Sequence, residues 1–154
     1  MTMRDLIPAQ AVAGSLDAAT KKDVLLAIAA AASGLAGADE HTVFDVLWER
    51  ERLGTTGVGQ GIAIPHGRVP GLEKVFGFFA RLPQSVDFDS VDDKPVDLVF
   101  LLLAPEAAGA DHLHALATVS RLLRDAKLCE QLRKAKDEAA LYKLLTETVV
   151  AEAA

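Results

Sequence analysis

A single cysteine, Cys129, and an aromatic share of only 5% remove two common ways of holding a small protein together. One thiol cannot form an intramolecular disulfide framework, which fits a reducing compartment and a cytoplasmic location. With 51% hydrophobic residues but so few rings, the core of this 154-residue chain must be mostly aliphatic. That length suits one α/β domain spanning 1–154, its core running from about 5 to 148. Basic residues are outnumbered, 16 Lys and Arg against 22 Asp and Glu, for a net charge of −6. A nucleic-acid partner is therefore not expected, since such binding needs a basic footprint. Any phosphate handled here must meet a local positive patch. Lys21-Lys22 ahead of Val24 to Ala36 superficially resembles a signal peptide, yet it starts too far from Met1 and contains Ser33 and Gly34. No apolar run reaches the ~20 residues of a membrane span, so no membrane insertion is expected. No repeat, linker or low-complexity segment divides the chain.

Hydrophobic spacing predicts several helices. Thr20-Lys-Lys-Asp23 is a capping-box-like start, and Val24, Ile28, Ala31 and Leu35 follow at helical spacing before Gly37. A second helix is expected from about Asp39 to Arg52, closed by Gly54, with Val43, Val46 and Leu47 inward and Arg50 seven residues after Val43 on the same face. Asp111 is expected to cap a third helix with His112, Ala115, Leu116, Val119 and Leu123 inward. His114 lies about 200° around from His112 and is expected in solvent. Helices over Asp125 to Lys136 and Asp137 to Thr148 should turn Leu128, Leu132, Leu141, Leu144 and Leu145 inward, and the tail Val149 to Ala154 should fray. Val75 to Leu82 and Val96 to Leu103 read as the central strands, the second aliphatic enough to be covered on both faces. Between them Val86-Asp-Phe88 reads as a short edge strand and Asp92 to Pro95 as a turn.

The stretch Gly54-Thr-Thr-Gly57-Val-Gly59-Gln-Gly61-Ile-Ala-Ile64-Pro65-His66-Gly67 carries the chemistry. Pro65 biases Ile64 toward an extended conformation and Gly67 releases the chain, so His66 is expected at a strand end in a tight turn. Neutral imidazole is a good nucleophile near physiological pH. Two readings stand for His66 from these residues: a displayed nucleophile, or a turn histidine that satisfies its own hydrogen bonds. An inward Arg50 sixteen residues earlier and an inward His112 in a first helical turn add independent signals. Together the three suggest an anion site, with the helix N-terminus near His112 and the Arg50 guanidinium holding phosphoryl oxygens. Phosphoryl transfer asks mainly for positioning and charge stabilisation.

Competing motifs fail on context. No Gly-Lys-Ser/Thr follows the glycines, so this is not a P-loop, and the run does not join a strand to a helix as a dinucleotide fingerprint does. No cofactor is expected. His112 and His114 would sit on nearly opposite faces of a helix, which makes a zinc pair improbable, and no metal is expected. His41 reads as a surface residue; Trp48 fits either a core edge or a partner contact.

Three segments resemble a known family: Arg50 through Gly67; Phe88-Asp89 with Pro95-Val-Asp97-Leu-Val-Phe; and His112-Leu-His-Ala-Leu116. The chain is similar to the IIA domains of the fructose/mannitol class of the bacterial phosphoenolpyruvate-dependent sugar phosphotransferase system, and within it to the nitrogen-regulatory branch. The resemblance implies a central mixed β-sheet flanked by helices on both faces. It implies that His66 is the phosphoryl acceptor and that Arg50 and His112 line its pocket. It further implies a phosphocarrier with a phosphohistidine intermediate that does not turn over alone. The donor would be an HPr-like carrier (NPr), and the regulated targets could include kinases or potassium-transport proteins. The lack of an appended IIB or IIC domain in this chain favours the regulatory branch over a sugar-specific fructose or mannitol IIA that passes phosphate to a IIB domain. From other classes, a binding module whose histidine is not phosphorylated and a metal-dependent hydrolase remain as alternatives.

Overall fold

The computed structural model describes residues 2–148, so the expectation of a fraying tail lies outside the described residues. In chain order the elements are α1 (Met3–Leu6), β1 (Val12–Ala13), α2 (Lys21–Ala36), α3 (Glu40–Leu53), β2 (Gly57–Gly59), β3 (Ile62–Ala63), β4 (His66–Val69), β5 (Phe76–Val86), β6 (Val96–Pro105), α4 (Ala110–Leu123), α5 (Ala126–Lys134) and α6 (Glu138–Glu147). The sheet is mixed: β1-β5-β6-β3-β2, with β4 also on β6. β5 and β6 are antiparallel, whereas β1 on β5 and β3 and β4 on β6 are parallel. Every residue of β6 from Leu98 to Ala104 is buried. A strand reaches that state only when both sheet faces are covered. The sequence reading placed this strand and the mixed sheet correctly.

Four helices begin where the sequence reading starts them, and each is capped there by a side chain. The Thr20, Asp39, Asp125 and Asp137 side chains each accept a first-turn backbone N–H, and Gly37 closes α2 in the left-handed conformation at φ 73°. Two stripes differ from expectation. In α2 Val24 and Ile28 are buried with Leu25, Ala29, Ala32 and Ser33, while Ala31 and Leu35 face solvent. Residues 24, 25, 28, 29 and 32 form the i, i+1, i+4 face that the sheet covers, rotated away from the predicted one. Leu144 and Leu116 are half-buried.

Three local expectations are corrected. Asp111 does not cap α4, because the helix begins two residues earlier than that cap requires, at Ala110, with Gly109 as N-cap and no side-chain cap hydrogen bond. Asp111 is instead exposed in the first turn, where its charge complements the helix dipole. Val86 to Phe88 is no separate strand: Val86 ends β5 opposite Val96, after a register shift between Arg81 and Val86. Pro83 fits within that strand because β1 reaches β5 only at Phe79 and Ala80, leaving the other edge free at position 83. Phe88 is fully buried beyond the strand end. Lastly, the chain does not turn at His66-Gly67.

That third correction positions the site. Ile62, Ala63 and His66 pair with Leu98, Val99 and Leu102, each 36 residues downstream, so β3 and β4 are one strand in one register. Pro65, which has no N–H, interrupts the ladder, yet its carbonyl still accepts from Leu102 N at 3.0 Å. His66 therefore resumes the strand, and the chain turns later, near Gly71 at φ 81°. Gly67 has a packing reason instead: a Cβ there would collide with Val46 of α3. Glycine lets helix and strand touch.

Candidate phosphoryl-acceptor site

The C-terminal end of α3 is anchored by Glu51, a buried residue the sequence reading passed over in favour of Arg50. Its carboxylate accepts from Thr56 N at 2.7 Å and from the Thr56 hydroxyl, and Lys21 Nζ lies 3.7 Å away. Glu51 follows Val43 and Leu47 at steps of four, which is the spacing that could have identified it. The following loop is tied further by Thr55, whose hydroxyl donates to the Phe88 carbonyl at 2.6 Å and accepts from Gly57 N at 3.0 Å. Arg50 is half-buried at this fixed helix end, its Nη1 donating to the Gly54 carbonyl at 2.9 Å.

From this loop the β2–β3 hairpin leads into the interrupted strand. Side chains alternate across a strand. Gly67 backs onto α3, so His66 projects from the opposite face, where α4 lies. Its ring is 5.8 Å from the ring of His112, centroid to centroid, with the planes tilted by 50°. His66 Nδ1 sits 2.8 Å from the Ile64 carbonyl oxygen. A carbonyl can only accept, so Nδ1 carries the proton and Nε2 keeps the free lone pair.

His112 is buried in the first turn of α4, its Nδ1 without a hydrogen-bond partner among the described residues. His114, two residues on, is exposed, as is His41. Trp48 packs at the edge of the core, stacked on Phe44 at 6.1 Å, and Cys129 is a buried thiol. Arg68 was not singled out from sequence. Two residues beyond His66 on the same strand face, it brings a further cation to this side of the sheet, and the period of two was the available signal.

The electrostatics favour neutral imidazoles. Burial is the main cause that lowers the His66 pKa; the Ile64 carbonyl opposes it, the nearby Arg50 charge reinforces it, and Glu51 opposes it. His112 is likewise held below the usual histidine value, by burial first and then by His66 and Arg68. The site thus brings together an imidazole with one exposed lone pair, a second imidazole, positive charge from Arg50 and Arg68, and the first turn of α4 with no side-chain cap over its N–H groups. Such a set can receive a tetrahedral oxyanion and supply a nucleophile to it. Among the described residues no cluster of three or more His, Cys, Asp or Glu side chains could hold a metal ion, and no helix is long and apolar enough to cross a membrane.

Residues 5–148 match the family described as phosphoenolpyruvate-dependent sugar phosphotransferase system, EIIA 2. A nitrogen regulatory protein of Bradyrhizobium diazoefficiens is 54% identical over 145 residues, covering 94% of this chain and 95% of its own. A protein of Haloferax volcanii named PTS system fructose-specific EIIA component is 41% identical over 111 residues, 72% of each chain. Among solved structures, nitrogen regulatory protein IIA-Ntr from Neisseria meningitidis superposes with a TM-score of 0.86 at 32% identity, covering 92% of this chain and 97% of that one. IIA mannitol from Escherichia coli superposes with a TM-score of 0.76 at 23% identity over 89% of this chain and 96% of its own, a likeness of fold. With most of its length matched by the family and its nearer relatives bearing nitrogen-regulatory names, the chain belongs to the EIIA 2 family of the phosphoenolpyruvate-dependent sugar phosphotransferase system.

Proposed function

We propose that residues 1–154 form one EIIA unit in which His66 accepts a phosphoryl group on Nε2 from a phosphohistidine of an HPr-like carrier (NPr). The observation that carries this reading is the 2.8 Å contact of Nδ1 with the Ile64 carbonyl, which leaves Nε2 as the free nucleophile. In the transfer a new P–N bond forms at His66 Nε2 as the donor's P–N bond breaks, and the bonding pair returns to the donor ring nitrogen. Arg50 holds transferring oxygens, His112 supports them from the α4 side, and the first-turn N–H groups of α4 add positive potential. His66 must be unprotonated to attack, and its lowered pKa keeps it so at neutral pH.

The phosphorylated surface gains roughly two negative charges at an otherwise half-exposed histidine. That change is what a regulatory partner would read, in the nitrogen-related branch to which the 54% identical relative points. From the cytoplasm, the candidate targets are kinases and potassium-transport proteins. A second reading, transfer onward to a IIB domain, is favoured by the 41% identical relative with a fructose-specific name.

Intact-mass measurement after incubation with phosphoenolpyruvate, the first enzyme of the system and an HPr-like carrier tests the proposal. An acid-labile adduct on the wild type and none on His66→Ala is expected. A folded wild type that gains no adduct overturns it in favour of a binding module. Passage of the label to a fructose-type IIB protein, with no effect of phosphorylation on regulatory partners, would favour the second reading.

A further inference from the structure

Beside the His66 site, a separate cavity of about 530 Å³ opens between the β2–β3 hairpin and the corner where α4 meets α5. Sites for small molecules fall at about 300–1,000 Å³. Its apolar lining includes Ile62 and Ile64 from the sheet side and Leu123 and Cys129 from the helices. No aromatic ring contributes, so the cavity suits a flexible aliphatic body better than a stacked ring.

Among the described residues, one charged side chain of the rim stands without a partner. Arg133 is engaged through four of its five N–H groups: Nε and Nη2 donate to the two Asp97 oxygens at 2.8 and 3.1 Å, Nη2 also donates to the Gln60 carbonyl at 2.9 Å, and Nη1 donates to Glu130 at 3.2 Å. Glu130 is engaged by the same contact. Arg124 bonds only through its backbone N–H, at the C-cap of α4, and its guanidinium has no partner among the described residues. Ser120 stands one helical turn before it, and both line the cavity, so a hydroxyl and a guanidinium share one wall. Burial keeps the Cys129 thiol protonated by raising its pKa, so that residue adds no negative charge against an anion.

We propose that this cavity binds an aliphatic monocarboxylate, its carboxylate held by Arg124 and Ser120 and its chain laid over Ile62, Ile64, Leu123 and Cys129. The assignment stands apart from phosphoryl transfer and is tested by binding alone. The two sites adjoin at Ile64, whose side chain lines the cavity and whose carbonyl holds His66 Nδ1.

Octanoate is titrated into the ¹⁵N-labelled full chain and followed by two-dimensional NMR, with octylammonium as the charge-reversed probe and acetate as the probe without a chain. Saturable shifts centred on Ile62, Ile64, Ser120 and Arg124 are expected, with a Kd on the order of 1 mM or tighter. Both control probes should bind at least about tenfold more weakly, and Arg124→Gln should weaken octanoate by about tenfold, because a charge-assisted hydrogen bond is lost. Octanoate should also slow alkylation of Cys129. Absence of saturation, shifts centred elsewhere, or equal binding of octylammonium overturns the proposal. So does a folded Arg124→Gln that binds octanoate as the wild type does; Ser120→Ala repeats the comparison should that variant not fold.

Discussion

An imidazole pinned at one nitrogen has only the other to offer, and at His66 the pin is a backbone carbonyl two residues earlier in the chain. Because that acceptor belongs to the strand itself, the ring orientation is built before any partner arrives. Burial outweighs the opposing carbonyl, so the folded His66 protonates below the unfolded value of about 6.5. The sign follows directly. Phosphoryl acceptance should be flat at neutral pH and fall only once the pH drops below that usual value, as a pH–rate profile would record. Stability has the same direction: between the two pKa values the unfolded chain binds more protons, so stability decreases as pH falls through about 6.5. His112, also lowered, adds to this loss. Arg50→Gln and His112→Asn should slow adduct formation by roughly 100- to 1,000-fold, the range seen for removal of one oxyanion contact. Unfolding midpoints should change little; a matching loss of stability would instead mean that the two side chains serve packing.

At the scale of elements, the interrupted β3–β4 strand reconciles display with order. Pro65 omits one ladder donor without shifting register, and Gly67 lets α3 approach so closely that Val46 fills the missing side chain's place. Gly67→Ala should therefore cost about 1–3 kcal/mol by overpacking. The double variant Gly67→Ala, Val46→Ala should recover part of that loss in urea denaturation, since the two sites share one contact. Simple additivity would show that the collision is relieved elsewhere. The end of α3 depends on Glu51 in the same local way. Glu51→Ala leaves the buried Thr56 N–H unsatisfied and should destabilise by about 1–3 kcal/mol. It should also loosen the loop after α3, whose Gly54 carbonyl Arg50 holds, raising hydrogen exchange at Thr55 to Gly57.

Across the whole molecule one side chain ties distant parts of the chain together. Arg81 on β5 donates through Nε to the Gly14 carbonyl at 2.9 Å and through Nη1 to the Leu132 and Ala135 carbonyls at 2.9 and 2.6 Å. It thus satisfies carbonyls at the C-terminal end of α5, where the helix dipole also favours a cation. Arg81→Ala should lower stability by about 2–3 kcal/mol, as several charge-assisted bonds to half-buried carbonyls go at once. Arg81→Lys should not fully restore it, because a single ammonium cannot span the three acceptors. Thermal unfolding of both variants checks this.

Local periodicity and capping chemistry determined much of this protein from sequence alone: the helices α2, α3, α5 and α6, the buried central strand and the candidacy of His66, Arg50 and His112. These features depend on neighbours within a few residues, where spacing is informative. Only the tertiary structure decided that His66 continues a strand instead of ending one, because the reason, pairing with Leu102 on β6, comes from a strand 36 residues downstream, as the reason for Gly67, Val46 pressed against it, comes from a separate helix. It alone exposed Glu51 as the buried anchor beneath Arg50 and Gly109 as the N-cap of α4. The pairing of His66 with His112 across 46 positions likewise arises from packing between elements, which no window of sequence contains, whereas the Nδ1 contact is local, to the Ile64 carbonyl two residues back, and needs the folded strand to set its geometry.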